Sequence, residues 1–270
     1  EIHNMFGMQN SRGTHDGLLK LDPDKRPFVM TRASFAGGQR YAVTWTGDNS
    51  STWNHLRQTT PQLLNLGLSG FAMAGADVGG FAGSPQPELL TRWLELAAFQ
   101  PIDRDHTAKG TNAQEPWEDG TLQDLNLRRK YIEERYRLMP YLYTTAEEMS
   151  RTGLPIIRPL FLEFPGVPGG DQAVDPTIQN EFLFGHDILV ATSPYPDEMD
   201  NFFVSLPPVG WYDYWTGARI GSAMPHKAID NSDAPPGVEE KQNIETLPVF
   251  VRAGAIVPEQ PLVQSTDETP

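Results

Sequence analysis

Cysteine is absent from these 270 residues, which excludes disulfides and thiolate metal sites and is compatible with any compartment. Long hydrophobic runs are absent too. No apolar stretch approaches the roughly 20 residues that a membrane-spanning helix needs. Basic residues are scarce, 21 Lys and Arg against 35 Asp and Glu, for a formal charge of −14. Nucleic acids and anionic membranes are therefore not expected partners, because phosphate binding needs clustered cations. The six histidines (His3, His15, His55, His106, His186 and His226) lack a ligand spacing such as His-x-x-x-His, so no metal and no other cofactor is expected. Gly37-Gly38 and Gly79-Gly80 lack the Lys-Ser/Thr of a phosphate loop, and no Gly-x-Ser-x-Gly elbow of a serine hydrolase occurs.

What the chain does have is a repeated pairing of apolar runs with charged residues. Tyr41-Ala42-Val43-Thr44-Trp45 ends in Thr46-Gly47-Asp48-Asn49. Arg32 follows Pro27 to Thr31, Asp77 follows Gly70 to Ala76, and Arg104 and His106 follow Ala97 to Ile102. Charged side chains at the C-terminal ends of successive buried strands are how a (β/α) barrel builds an active site. Arg32, Asp48, Asp77 and His106 lie 16, 29 and 29 residues apart, and the longer spacing suits one helix plus one strand.

The hydrophobic periodicity predicts a helix from His3 to about Lys20, strands at Phe28–Thr31 and Tyr41–Trp45, and a helix over Ser51–Leu66. It continues with a strand at Gly70–Ala76, a helix over Gln86–Ala98, a short strand near Phe99–Ile102 and one long helix over Leu125–Arg151, stopped by Gly153-Leu154-Pro155. Beyond Pro155 short β-rich runs alternate with Pro/Gly turns, as in an antiparallel sandwich. Gly221 to Asn243 reads as a long polar loop, and Gln264 to Pro270 as a frayed end. The expected fold class is α/β. Residues 1–153 would be the C-terminal half of a (β/α)8 TIM barrel, strands five to eight, and residues 154–270 an antiparallel β-sandwich domain. Four strands cannot close a barrel, so the first 153 residues read as incomplete by themselves.

A carboxylate, a guanidinium, an imidazole and the aromatic faces of Trp45 and Phe81 suit a sugar. Adjacent hydroxyls match the oxygens of a carboxylate and the fork of an Arg, and the ring's apolar face lies on an aromatic. A carboxyl packed beside Trp45 would be desolvated and its pKa raised, as a general acid requires. Taken singly, the same residues have plainer readings. An Asp after Gly is most often a turn or cap residue, Asp77 could cap the next helix, and His106 could be a hydrogen-bonded structural histidine. Arg104 reads as a prop for a carboxylate. Trp93, Tyr131, Tyr136, Tyr141 and Tyr143 lie at helical spacing and read as core.

Several runs together resemble glycoside hydrolase family 31, closest to its α-glucosidase and glucosidase II branch. They are Arg32 to Gly37, Trp45-Thr46-Gly47-Asp48-Asn49, Gly75 to Phe81, Arg104-Asp105-His106, Glu115-Pro116-Trp117, Arg135 to Tyr141, Arg158-Pro159-Leu160 and Pro248 to Gly254. The resemblance spans nearly all of the chain to about Pro258. It implies a retaining glycoside hydrolase with Asp48 as the catalytic general acid/base. It further implies a sugar subsite lined by Arg32, Trp45, Asp77, Phe81 and His106, with Arg104 supporting.

In one respect the chain departs from the family. The nucleophile belongs to a Trp-x-Asp-Met-Asn-Glu-like run, and nothing here matches it. The expectation is therefore a C-terminal piece of a longer exo-acting α-glucosidase that takes an α-glucoside oligosaccharide. Its protein partner would be an N-terminal fragment of the same enzyme carrying the nucleophilic Asp, and a homo-oligomer is left open. A non-catalytic sugar-binding half is the alternative from a different class. Within the family, α-xylosidase, transglucosidase and α-glucan lyase activities stay open.

Overall fold

The computed structural model describes residues 2–165, 179–192, 201–220, 237–241 and 243–268. Helix α1, His3–Leu21, rests on a short 3-10 turn at Gly38–Arg40 and buries only Met8 and Ser11. Met5, Phe6, Leu18, Leu19, Leu21 and the following Phe28 stay exposed.

Three short parallel strands follow: β1 (Thr44–Trp45), β2 (Ala74–Val78) and β3 (Ile102–Asp105), hydrogen-bonded in the order β1-β2-β3. The strand expected at Phe28–Thr31 is reduced to a parallel bridge between Met30 and Val43 on the outer side of β1. The strand expected near Phe99–Ile102 lies three residues later. Phe99 instead closes the turn after helix α3 (Pro87–Ala97), with its ring fully buried. β2 is buried along its whole length and built from small residues. A Cβ on Gly75 would lie 2.7 Å from the Ile102 Cβ, so β3 can approach only a glycine there.

Helix α2 (Trp53–Leu68) follows β1, capped by the Thr52 hydroxyl, which accepts from the His55 N–H at 3.3 Å. Helices α2 and α3 cover β2, and α3 packs on the helix after β3. That helix is not the continuous one expected over Leu125–Arg151 but a pair, α4 (Leu122–Arg137) and α5 (Met139–Thr152). Pro140 in the first turn of α5 has no N–H to continue the ladder, so Leu138 leaves helical geometry and the chain restarts. α4 also begins earlier than expected, because Thr121 and Asp124 form a reciprocal capping box. Gly153 ends α5 in the left-handed conformation, as its position before Pro155 foretold. Of the aromatics expected in the core, Trp93, Tyr131 and Tyr141 are buried, Tyr136 is half-buried and Tyr143 is exposed.

The rest is antiparallel. β4 (Ile157–Arg158), β5 (Glu181–Phe184), β6 (Ile188–Ala191), β10 (Val249–Arg252) and β8 (Trp211–Asp213) form a five-stranded sheet in that order, with the short helix α6 (Leu160–Glu163) after β4. β7 (Asn201–Ser205) pairs with β9 (Gly237–Lys241). β9 falls within the stretch read as a loop, Gly221 to Asn243; residues 221–236 and 242 lie outside the described ones. The end after Gln264 closes in a 3-10 turn at Thr266–Glu268.

In the five-stranded sheet β4, β5 and β6 are buried on both faces, while the edge strand β8 exposes Tyr212. Phe182, Phe184, Ile188, Val190 and Val249 join Leu63, Leu64, Leu96, Phe99, Tyr131 and Tyr141 in one core shared with the helices. Leu183, Leu189, Ala191 and Phe250 point the other way, against Phe202 and Val204 of β7 and against Trp211. The alternation within each strand thus serves two cores at once.

Candidate active site

The C-terminal ends of the parallel strands are joined by one guanidinium. Arg104 of β3 lies opposite Asp77 of β2 in register, and its Nη2 donates to Asp77 Oδ1 at 2.9 Å. The guanidinium carbon stands 5.0 Å from the centre of the Trp45 ring at the end of β1. Its Nη1 meets the Met30 sulfur at 3.3 Å, beside the bridge that flanks β1. Both Asp77 and Arg104 therefore lie inside strands rather than after them, which gives them fixed backbones.

Asp77 is almost fully buried. Burial raises its pKa above 3.8, the charges of Arg104 and His106 oppose that rise, and the nearby Asp48 adds to it. Asp77 is thus a desolvated carboxyl of this site, as is Asp105 beside Arg104, whose pKa burial pushes up to about 7. Asp48, which the sequence placed against Trp45, instead reaches outward: its side chain is 54% exposed and accepts from Arg32 Nη1 at 2.7 Å. Gly47 makes this pairing feasible. Its φ of +89° turns the chain sharply, and a Cβ there would sit 2.9 Å from the Arg32 Cδ.

Phe81 and His106 come from neighbouring loops and stack at 5.1 Å with 27° between their planes. The loops are stitched together: Ala108 N–H donates to the Phe81 carbonyl at 2.9 Å, and Asn112 N–H to Ser84 Oγ at 3.0 Å. The structure thus brings together Trp45, Asp77 and Arg104, pairs Asp48 with Arg32, and pairs Phe81 with His106.

Three residues that no local pattern singled out hold these loops. Gln114 is buried and donates from Nε2 to the Gly80 carbonyl at 3.0 Å. Arg128 of α4, also fully buried, donates to the carbonyls of Glu118 at 2.5 Å, Asp119 at 2.8 Å and Pro87 at 3.0 Å, which pins the loop after β3. Asn49, met in the sequence only as the close of a turn, donates from Nδ2 to the Asp77 carbonyl at 3.2 Å and accepts from the Phe81 N–H at 3.4 Å. A signal was available for Asn49 and Gln114: Asn49 closes the quoted motif Trp45 to Asn49, Gln114 borders Glu115-Pro116-Trp117, and each is too polar to be filler at a strand end or in a buried loop.

Trp45 Nε1, Asp77 Oδ2 and Arg104 Nε are buried and have no hydrogen-bond partner among the described residues. Each such atom costs about 1–3 kcal/mol when left unsatisfied, and three gathered at the ends of neighbouring strands single this cluster out. Two donors and one acceptor around an indole suit a polyhydroxylated ring. Among the described residues no group of three His, Asp or Glu side chains is placed to hold a metal.

The comparisons with known proteins point the same way. The profile of the Glycosyl hydrolases family 31 TIM-barrel domain matches residues 1–145, and that of the Glycosyl hydrolase family 31 C-terminal domain matches residues 153–257. The chain is 40% identical to "Alpha-glucosidase 2" of Bacillus thermoamyloliquefaciens over 99% of its own length and 32% of that protein's. Among solved structures, a glucosidase II alpha subunit with bound Glc1Man2 superposes with a TM-score of 0.83 at 32% identity, covering 94% of this chain and 26% of the other. A dextranase of Flavobacterium johnsoniae complexed with glucose superposes with a TM-score of 0.85 at 33% identity, covering 99% of this chain and 32% of the other. The chain spans about a quarter to a third of the length of these relatives.

Proposed function

This chain belongs to glycoside hydrolase family 31, and from that membership we propose that it carries the acid/base half of a retaining, exo-acting α-glucosidase. The substrate is an oligosaccharide with a non-reducing terminal α-linked glucose. The observation that carries the reading is the cluster of Trp45, Asp77 and Arg104 with its three unpartnered buried polar atoms, and the Asp48–Arg32 pair on the loop that leaves β1.

In this reading Asp77 Oδ2 accepts from sugar hydroxyls while Arg104 holds its other oxygen. Trp45, Phe81, His106 and Arg32 line the same sugar subsite. Asp48 is the catalytic acid/base. A carboxylate nucleophile attacks the anomeric carbon as the glycosidic C–O bond breaks, and Asp48 gives its proton to the departing oxygen. Water then attacks the glycosyl-enzyme, Asp48 takes the water's proton, and the configuration is retained. Asp48 must exchange its Arg32 partner for the glycosidic oxygen, and its exposure leaves it free to do so.

The nucleophile is assigned to an N-terminal segment of the same enzyme, because no run of this sequence carries the family's nucleophile pattern. The three-stranded parallel sheet supports this, as does the exposed apolar side of α1, since parallel strands and amphipathic helices are stable when both faces are covered. Residues 1–153 would then supply half of a barrel, and residues 154–270 a sandwich that buttresses it.

The test is Asp48→Ala in the enzyme that contains this chain. Maltose hydrolysis should fall about 10²–10⁴-fold, the range that general acid catalysis contributes. The first step on α-glucosyl fluoride, whose leaving group needs no proton, should largely survive; release of the glycosyl-enzyme, which has lost its base, should slow, and azide should restore turnover of the fluoride by giving the α-glucosyl azide. A variant as active as wild type on maltose removes Asp48 from the mechanism.

A further inference from the structure

We infer that Asn49 is a positioning residue whose carboxamide sets the distance between the Asp48 carboxyl and the Asp77–Arg104 pair; the inference rests on the acid/base reading of Asp48.

Two adjacent residues behave in opposite ways. Asp48 has a half-exposed side chain whose one side-chain partner among the described residues is the equally exposed Arg32. Asn49 is buried, and every polar group it owns is engaged. Its N–H donates to the Gly47 carbonyl at 2.9 Å, closing the turn that presents Asp48. Its carbonyl accepts from the Ala82 N–H at 2.9 Å. Its Nδ2 donates to the Asp77 carbonyl and its Oδ1 accepts from the Phe81 N–H. One residue therefore ties the loop after β1 to both ends of the segment from Asp77 to Ala82. The return bond, Ser51 N–H to the Ala82 carbonyl at 2.8 Å, extends the seam past it.

The amide is the group this geometry asks for. The nitrogen must face a carbonyl and the oxygen an N–H, so the orientation of the carboxamide is fixed by its partners. An aspartate has the same outline but no donor, and would turn a lone pair on the Asp77 carbonyl. Serine reaches one of the two partners at most. Because the one side-chain hydrogen bond of Asp48 among the described residues goes to the exposed Arg32, its reach toward a sugar seated on Asp77 is governed by the backbone that Asn49 holds. Displacing a reacting group by about 1 Å costs on the order of 100-fold in rate.

The deciding experiment is Asn49→Asp, with Asn49→Ser as the milder variant, in the enzyme that contains this chain. kcat and KM are measured on maltose and on α-glucosyl fluoride. Misplacing the acid should lower kcat and kcat/KM on maltose about 10–100-fold for Asn49→Asp and less for Asn49→Ser, with KM little changed, while kcat/KM on the fluoride, which reports only the first step and needs no acid, falls by no more than about threefold. A general loss of structure would lower both substrates together. Equal losses on the two substrates, or no loss on either, overturns the inference while leaving the acid/base reading standing. If Asn49→Asp does not fold, the same ratio in Asn49→Ser decides. A wild-type enzyme inactive on both substrates overturns the acid/base reading itself, and this inference with it.

Discussion

Asp77 and Arg104 face each other across two neighbouring parallel strands in direct register, and the bond between them, 2.9 Å long, joins a buried carboxylate to an arginine whose side chain is 31% exposed. Because both side chains rise from strand backbone, their separation is set by sheet geometry and not by a loop. Replacing Arg104 by Met should leave the Asp77 carboxylate buried without compensation and destabilise the protein by about 3 kcal/mol at neutral pH. The folded-state pKa of Asp77 is already raised by burial, and losing Arg104 raises it further. The cost should therefore shrink as the pH falls and Asp77 protonates in both states. Urea unfolding of both proteins at pH 4 and pH 7 measures this. An equal difference at the two pH values means the pair is not coupled as described.

Gly80 is the residue on which the Phe81 loop turns. Its φ is +89°, and a Cβ would lie 2.4 Å from the Ser51 nitrogen and 2.6 Å from the Ser50 carbonyl carbon, both backbone atoms. Gly110 shares the left-handed conformation, with φ +91°, but has open space around it. Gly110→Ala should cost only the strain of the conformation, about 1–2 kcal/mol. Gly80→Ala should cost more than that, since the two loops must separate, and it should raise KM through displacement of Phe81. Thermal unfolding of the two variants side by side tests the difference.

Glu95, on the buried face of α3, has a carboxyl oxygen with no partner among the described residues and lies beside a crevice of about 30 Å³ lined by Leu56, Arg92 and Leu247, among others. Burial pushes its pKa from the ordinary 4.5 to about 8. The folded state then holds a proton that the unfolded chain has released, so stability falls as pH rises from about 4.5 to about 8 and levels off above. Glu95→Gln should match wild type near pH 4 and exceed it by a few kcal/mol, on the order of 3–4, above pH 8. Denaturation curves at pH 4, 6 and 8.5 show whether the slope disappears with the carboxyl.

Arg158 is fully buried between Glu148 of α5, at 2.7 Å, and Glu163 of α6, at 2.5 Å, with His186 of the β5–β6 turn bonded to both carboxylates at 2.7 and 3.0 Å. Arg158→Met leaves two carboxylates facing each other and should cost about 3–5 kcal/mol. Burial lowers the His186 pKa and its hydrogen bonds to Glu148 and Glu163 raise it, and the hydrogen bonds win. The stability that protonated His186 adds is therefore complete below about 6.5 and lost as pH rises through its raised pKa. His186→Ala should flatten the stability profile in that window, which unfolding midpoints from pH 5.5 to 8.5 will show.

Much of this was legible in the sequence where the signal is local. The leucines of α2 and α3 give their buried faces by spacing, and the turn ending Gly47-Asp48-Asn49 is written in residues that tolerate its conformation. The break at Leu138 was written too, in Pro140, two residues after it. β9 was illegible because Gly237-Val238-Glu239-Glu240-Lys241 has no strand pattern of its own and pairs with β7 more than thirty residues earlier in the chain. The same holds for Asn49, whose amide partners lie 28 and 32 residues away, and for Arg158, whose partners Glu148 and Glu163 lie on two different helices and share the distant His186. Long-range polar pairing leaves no periodic trace.

The core that Phe182, Phe184 and Val249 share with Leu63, Leu96 and Tyr131 bears on how this protein can be rebuilt. Sheet and helices complete each other's packing, so neither is a cartridge to be exchanged. A chimaera that joins the barrel portion of one relative to the antiparallel portion of another would import mismatched side chains along the whole seam. Functional transplants between relatives should instead be confined to the loops that leave β1, β2 and β3, where Asp48, Phe81 and His106 are carried and little of the shared core is touched.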